Sequence, residues 1–140
     1  MSKIFWDTNL FIYLLEDYGK LSERVAEIRN RMLARKDQLY TSTLTMGEVL
    51  VKPIEAHDET GIEKFVGTLN SLAVLVPLDQ RVAQIYGSVR QDRSIRAPDA
   101  IQLACAASAE IDLFITNDDR LSRKSVPGIH FITSLETAYL

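Results

Sequence analysis

Four acidic residues have types and positions that suit a metal-binding site: Asp7, Glu48, Asp99 and Asp118. Asp7 directly follows the apolar run Ile4–Trp6, and Asp118 follows the run Leu113–Thr116 after one residue. Carboxylates that converge repel one another unless a cation lies between them, and hard oxygen ligands select Mg²⁺ or Mn²⁺. Such an ion lowers the pKa of a bound water and holds a phosphate for in-line attack. The four acids therefore indicate metal-dependent chemistry at a phosphate group.

Each acid also has an ordinary structural role when it is taken alone. Asp7 and Asp118 each suit the cap of a following helix. Asp99 follows Pro98 in a first helical turn, where a negative charge suits the helix dipole. Glu48 alone would be a solvated helix residue, although its apolar neighbours predict partial burial. The four acids are more informative together, because the elements that carry them should meet at one edge of a sheet.

Strands that alternate with helices are expected to position these acids. Short, mostly apolar runs predict five strands: Ile4–Trp6, Leu39–Ser42, Ala73–Val76, Leu113–Thr116 and Ile129–Ile132. Helical spacing and capping residues predict six helices: Asn9–Leu15, Leu21–Leu33, Thr43–Lys52, Ile62–Leu72, Asp79–Gln91 and Pro98–Ala109. We expect Pro53 to end the third helix. The alternation predicts an α/β fold with a short parallel sheet and helices on both faces, in which ligands bind beyond the carboxyl ends of the strands.

Length and composition favour a single domain over residues 1–140 that folds without a disulfide or zinc. The only cysteine is Cys105. No apolar run approaches the ~20 residues of a membrane span, and no cleavable signal pattern is present. These features predict a cytoplasmic protein. The net charge of −3 neither supports nor excludes a nucleic-acid substrate. If four carboxylates bind metal, they account for more negative charge than the whole excess of acidic over basic residues.

Four blocks of the sequence resemble the PIN-domain ribonucleases, and in particular the VapC-type toxins of bacterial toxin–antitoxin pairs. The blocks, which span nearly the whole chain, are Ile4-Phe5-Trp6-Asp7-Thr8-Asn9, then Ser42-Thr43-Leu44-Thr45-Met46-Gly47-Glu48, then Asp99-Ala100-Ile101-Gln102-Leu103-Ala104-Cys105-Ala106, and last Phe114-Ile115-Thr116-Asn117-Asp118. The resemblance implies a three-layer PIN-like fold with an acidic pocket and Mg²⁺ or Mn²⁺ dependence. It also implies endoribonuclease activity, homodimers and a small antitoxin partner.

The same resemblance implies roles for individual residues. It makes the metal-binding and catalytic quartet Asp7, Glu48, Asp99 and Asp118. Three further residues would support the quartet: Thr116 through its hydroxyl, Asn9 in the first block, and Asp119. Because Asp119 is a second acid beside the fourth position, the choice between Asp118 and Asp119 as the fourth ligand stays open. Three arginines near the acids are candidates for binding RNA phosphates: Arg93, Arg96 and Arg120.

Several alternatives stay open at this stage. A haloacid-dehalogenase-like phosphatase would carry Asp-x-Asp after its first strand, but this chain has Asn9 at the second of those positions. A second alternative is a PIN-like binding or scaffold domain without catalytic activity, although such domains usually lose one or more acids and this chain keeps all four. Within the nuclease interpretation, the residues do not separate a toxin from a housekeeping RNA-processing enzyme. Neither of the two histidines, His57 and His130, belongs to the four blocks, which favours attack by water over attack by the RNA 2′-hydroxyl.

Overall fold

The computed structural model describes residues 1–140 and contains one five-stranded sheet in which every strand is parallel to its neighbours. The strands are β1 (Lys3–Trp6), β2 (Gln38–Ser42), β3 (Val74–Val76), β4 (Ile111–Thr116) and β5 (Ile129–Ser134). Their order across the sheet is β3-β2-β1-β4-β5. Trp6 lies opposite Ile115, so β1 and β4 end nearly level with each other. The parallel α/β architecture predicted from the sequence is confirmed.

Six α-helices and one short 3₁₀ helix connect the strands. The α-helices are α1 (Thr8–Leu15), α2 (Lys20–Arg35), α3 (Thr43–Glu55), α4 (Glu59–Leu72), α5 (Gln80–Val89) and α6 (Ala97–Ser108), and the 3₁₀ helix is Leu121–Arg123. None of these helices has the length and apolar character that crossing a membrane requires. All six predicted helices are present, with ends that differ from the predicted ones by a few residues.

Two hydrophobic cores lie on opposite faces of the sheet, which makes the fold three-layered. On one face, Phe5 of β1 stacks on Phe114 of β4 with ring centroids 5.0 Å apart, and α5 and α6 pack over them. On the other face, Ile4 and Trp6 pack against α1 and α2, and residues of α3 and α4 complete that core. Because both faces of β1 are covered, its last three residues are all apolar and fully buried.

Helix α3 continues through Pro53 to Glu55, so the prediction that Pro53 ends it is wrong. Pro53 is buried in the last turn, where it lacks only its own N–H donor. Backbone donors beyond the helix close that turn. The N–H of His57 donates to the carbonyl of Ile54 at 3.1 Å, and the N–H of Asp58 donates to that of Pro53 at 2.9 Å. His57 has φ of 51°, as this type of helix end requires.

Candidate active site

Asp7 lies at the point where β1 ends and α1 begins. Its backbone N–H donates to the carbonyl of Ile115 at 3.0 Å, which extends the pairing of β1 with β4 by one residue. As the N-cap of α1, its Oδ1 accepts a hydrogen bond from the N–H of Thr8 at 2.8 Å. Its Oδ2 accepts from the hydroxyl of Thr116 at 2.9 Å. Two neighbouring elements therefore hold both carboxylate oxygens of Asp7 in place.

Thr116 links the first and last of the four acids. Its side chain is fully buried at the end of β4, and its Oγ1 accepts a hydrogen bond from the N–H of Asp118 at 3.1 Å. Asp118 is half-buried, whereas Asp119 is exposed. Asp118 lines one of the two cavities that contain these acids, and Asp119 lines neither of them.

Three of the four acids line one cavity of about 450 Å³, which we call the acidic pocket. Asp7, Glu48 and Asp99 face it, together with Asn9. Asp118 lines a neighbouring cavity of about 320 Å³, the Asp118 cleft. Asp99 contributes to both cavities, because it lies in the first turn of α6 between them. The structure thus brings the predicted quartet into two adjoining cavities rather than into a single one.

The carboxylates interact electrostatically across these cavities. Burial raises the pKa of Asp7 to about 6, and the charges of Asp99 and Glu48 act in the same direction, against the hydrogen bonds from Thr116 and Thr8. Burial also raises the pKa of Asp99, and the charge of Asp118 adds to this effect. The site therefore concentrates negative charge that a cation would stabilise.

Two of the three predicted RNA-binding arginines lie beside the acids. Arg96 Nε is 3.6 Å from Asp99 Oδ2, and Arg120 is 3.4 Å from Asp118 Oδ2. For Asp118, burial would raise the pKa, but the hydrogen bonds and charge of Arg120 outweigh burial and lower it. Arg93 instead lines a separate shallow depression on α5 and the turn after it, and it faces neither cavity.

A buried network of polar side chains, which the sequence did not lead us to expect, lies beneath the acidic pocket. Its members are Thr8, Thr41, Ser42, Thr45 and Gln102. The amide nitrogen of Gln102 donates to the hydroxyls of Thr8 and Thr45, both at 2.9 Å. Its amide oxygen accepts from Ser42 at 2.5 Å. The missed signal is that Gln102 is the one polar side chain within the otherwise apolar stretch 100–107 of α6.

The donors in the hydrogen bonds of Thr41, Thr45 and Thr8 can be assigned, because each hydroxyl has only one hydrogen to donate. Thr41 donates to the carbonyl of Trp6 at 2.9 Å, so Thr45 must be the donor in its 2.7 Å bond to Thr41. Thr8 accepts from Gln102 and donates to Glu48 Oε1 at 2.6 Å. The network therefore presents one hydroxyl donor to Glu48 and fixes that carboxylate as the acceptor.

Glu48 is exposed, which corrects the expectation that its apolar neighbours would bury it. The apolar neighbours instead lie on a different side of α3, where Val49 is buried in the core. Glu48 is held at the acidic pocket by its hydrogen bond from Thr8. Its location at the pocket thus depends on one hydrogen bond from the start of α1 and on the register of α3, which begins directly after β2.

The donor chemistry of the site fits a hard divalent cation, because every candidate ligand is a carboxylate oxygen. No group of three or more acidic, histidine or cysteine side chains is arranged so that it would hold a metal ion as it stands. Asp99 and Asp118 are turned toward Arg96 and Arg120. A bound ion would therefore compete with these guanidinium groups for the carboxylates of Asp99 and Asp118.

Comparison with known proteins identifies the family of this site and fold. The family model described as PIN domain matches residues 4–127. The chain belongs to the PIN domain family. Family membership argues against the phosphatase alternative, and the match includes all four acids of the quartet.

Several solved structures share this PIN fold over almost their whole length. VapBC2 from Rickettsia felis, bound to a DNA fragment from its promoter, aligns with a TM-score of 0.73 and 13% identity over 94% of this chain and 98% of that chain. DNA-bound VapBC from Salmonella typhimurium aligns with a TM-score of 0.66 and 21% identity over 96% and 99%. A toxin–antitoxin complex from Klebsiella pneumoniae aligns with a TM-score of 0.64 and 22% identity over 90% and 94%. No curated protein sequence matches significantly. At these identities the structural likeness establishes the common fold.

Proposed function

We propose that this PIN-domain chain is a metal-dependent endoribonuclease and that it acts as the toxin of a type II toxin–antitoxin pair. The observation that carries the nuclease proposal is the gathering of Asp7, Glu48 and Asp99 around one pocket, with Asp118 in the adjoining cleft. The raised pKa of Asp7 supports it, because a site of mutually repelling carboxylates is stabilised by a bound cation.

The four acids would hold Mg²⁺ or Mn²⁺, with Thr116 and Thr8 orienting them. When bound, such an ion supplies a water of lowered pKa and neutralises charge on the phosphate. Asp7 is fixed by two hydrogen bonds and Glu48 by one, so both carboxylates are oriented before any ligand binds. Arg96 and Arg120 lie at the rim, where their guanidinium groups suit RNA phosphates.

Attack by water is favoured because the site offers no histidine to activate a ribose 2′-hydroxyl. His57 follows α3 and is exposed, and His130 lies in β5 with its ring nitrogen 3.4 Å from Asp112. Neither residue lines the acidic pocket or the Asp118 cleft. We therefore propose hydrolysis that leaves a 5′-phosphate and a 3′-hydroxyl.

The toxin role is supported by the similar structures, which are VapBC and toxin–antitoxin complexes. By this likeness we propose a small antitoxin partner, a homodimer and a cytoplasmic location for the chain. The test of the toxin role is expression in bacterial cells, which should arrest growth with the original sequence and not with the Asp7→Asn variant. Normal growth with a soluble, active chain would favour a housekeeping enzyme.

The nuclease proposal is tested with purified full-length chain, labelled single-stranded RNA and DNA of the same sequence, and added Mg²⁺ or Mn²⁺. We expect cleavage of RNA only, complete inhibition by EDTA, and no cleavage by Asp7→Asn. Asp119→Asn is the matched control, since it removes a neighbouring carboxylate that faces neither cavity, and it should retain activity. Binding of RNA without cleavage at any divalent ion concentration would favour the inert binding domain instead.

A further inference from the structure

Three adjoining cavities extend from the acidic pocket along the side of the molecule that carries α5. The Asp118 cleft adjoins the acidic pocket at Asp99. It adjoins a larger cavity at Ile95, Arg123 and Lys124, which are wall residues of both. This third cavity has a volume of about 710 Å³, and we call it the basic cavity. The three cavities therefore lie side by side, and a polymer bound across the acidic pocket and the Asp118 cleft would pass next to the basic cavity.

The basic cavity combines apolar wall residues with charged ones, of which three are basic and two are acidic: Arg81, Arg123, Lys124, Asp92 and Glu110. Its apolar residues come from α5, the turn before α6, α6 itself and the segment after the 3₁₀ helix: Ile85, Val89, Ile95, Ala107, Val126 and Pro127. Arg81 and Arg123 also line it, and both are exposed and make no ion pair. Their guanidinium groups are therefore free to bind an anion.

The wall that separates the basic cavity from the Asp118 cleft is already held in place. Lys124 Nζ lies 2.9 Å from Asp92 Oδ2 and donates to Ser94 Oγ at 2.6 Å. The hydrogen bond from Ser94, together with Lys124, lowers the pKa of Asp92 to about 2, so this acid stays paired and charged. Lys124 thus neutralises Asp92, and Arg123 is left as the unpaired cation at the boundary of the two cavities.

We propose that the basic cavity binds one nucleotide of a single-stranded RNA substrate, next to the phosphate that is cut. The proposal rests on the proposed function and extends it by naming a second contact region. A cavity of about 710 Å³ falls within the size range of small-ligand sites. A nucleotide matches its chemistry, because the base presents a flat apolar surface to the wall and the phosphate presents charge to Arg123 and Arg81. A guanidinium plane also stacks on bases in many RNA complexes.

The phosphate and the base of the bound nucleotide would contact different residues of the basic cavity. Arg123, at the boundary, is placed to bind the backbone phosphate that lies between the basic cavity and the Asp118 cleft. Ser88 lies on α5 inside the basic cavity and away from the cleft. A large side chain at Ser88 should fill the space of the base without removing charge. The charge of Arg123 and the volume at Ser88 can therefore be changed independently.

The test measures binding of a fluorescent 8-nucleotide single-stranded RNA by anisotropy, using the full-length Asp7→Asn chain so that no RNA is cut. Adding Arg123→Gln should weaken binding about tenfold at low salt and reduce the slope of log affinity against log salt by roughly 0.7, as expected for one lost phosphate contact. Adding Ser88→Trp should weaken binding by a similar factor with an unchanged salt slope. Arg31→Gln removes the same charge from α2, on the opposite face of the sheet, and should have little effect.

A second measurement separates failure of this inference from failure of the proposed function. Nucleoside 5′-monophosphates are added to the unmutated chain in EDTA, and amide NMR shifts are followed. We expect saturable shifts at residues 85–89 and 123–128 that Ser88→Trp abolishes. RNA cleavage that is unaffected by Ser88→Trp and Arg123→Gln, with no nucleotide-induced shifts, would overturn the inference while leaving the nuclease intact. Nucleotide binding here by a chain that cuts no RNA would support the cavity and reject the nuclease.

Discussion

Replacing Asp7 by asparagine should stabilise the folded chain at neutral pH. The pKa of Asp7 is about 6 in the folded chain and 3.8 in the reference state. At pH 7 this difference corresponds to an electrostatic cost of up to about 3 kcal/mol for folding with Asp7 ionised. Asparagine removes that cost and retains an oxygen that accepts from the N–H of Thr8. Its amide nitrogen can donate to Thr116, whose hydroxyl can rotate to accept.

The sign of the pH dependence follows from the raised pKa. Between pH 4 and pH 6 the folded chain binds more protons at Asp7 than the unfolded chain does, so stability of the original chain falls as pH rises through this window. Above pH 6, ionisation of Asp7 lowers the stability of the original chain by a constant amount. The free energy of unfolding of Asp7→Asn should therefore exceed that of the original chain by about 3 kcal/mol at pH 7 and by less than about 1 kcal/mol at pH 4.

Urea unfolding followed by circular dichroism measures this difference at both pH values. EDTA is present throughout, because a bound cation would stabilise the original chain and hide the effect. Asp119→Asn serves as the control and should change stability by less than about 0.5 kcal/mol at either pH. The reasoning is refuted if Asp7→Asn is no more stable than the original chain at pH 7, or if its advantage is the same at pH 4.

Three further substitutions test how the site is held together. Thr116→Val removes a hydrogen bond that lowers the pKa of Asp7, so the acidic limb of the pH–rate profile should move to higher pH. An acidic limb that does not move would contradict the role of the Thr116–Asp7 hydrogen bond. Gln102→Leu leaves the buried hydroxyl of Thr8 without its donor and should lower the free energy of unfolding by about 1–3 kcal/mol, whereas a neutral result would mean that the network is not needed for folding. Glu48→Gln should reduce cleavage at least tenfold with a stability change below about 0.5 kcal/mol, because Glu48 is exposed; unchanged cleavage would remove Glu48 from the site.

The fold was predictable because the signals that define it are local and repeated. The strands are short, mostly apolar runs, and the first is followed directly by a helix cap at Asp7. The error at Pro53 arose because a proline signals a helix end only statistically. Here the cost was one missing donor in the last turn, and the backbone bonds of His57 and Asp58 closed that turn.

The site was predictable in part, for a different reason. Asp7 and Asp118 follow the ends of strands, which places them at the edge of the sheet whatever their side chains contact. The apolar runs before them were therefore enough to predict their position. Hydrogen bonds between distant residues leave no such pattern. Gln102 of α6 reaches Thr8 at the start of α1 across 94 positions of the chain, and only the tertiary packing of the folded chain brings these residues together. The rotation of Glu48 toward solvent likewise depends on which side of α3 enters the core.

The chemistry of the cut ends tests the central claim most directly. A labelled RNA is cleaved by the full-length chain with added Mn²⁺, in parallel with a sample that contains EDTA, and the new termini are identified by mass spectrometry. If the carboxylates at the acidic pocket and the Asp118 cleft support attack by water, the products carry 5′-phosphates and 3′-hydroxyls, and the EDTA sample contains intact RNA. Products that carry a 2′,3′-cyclic phosphate, or cleavage that persists in EDTA, would contradict the account.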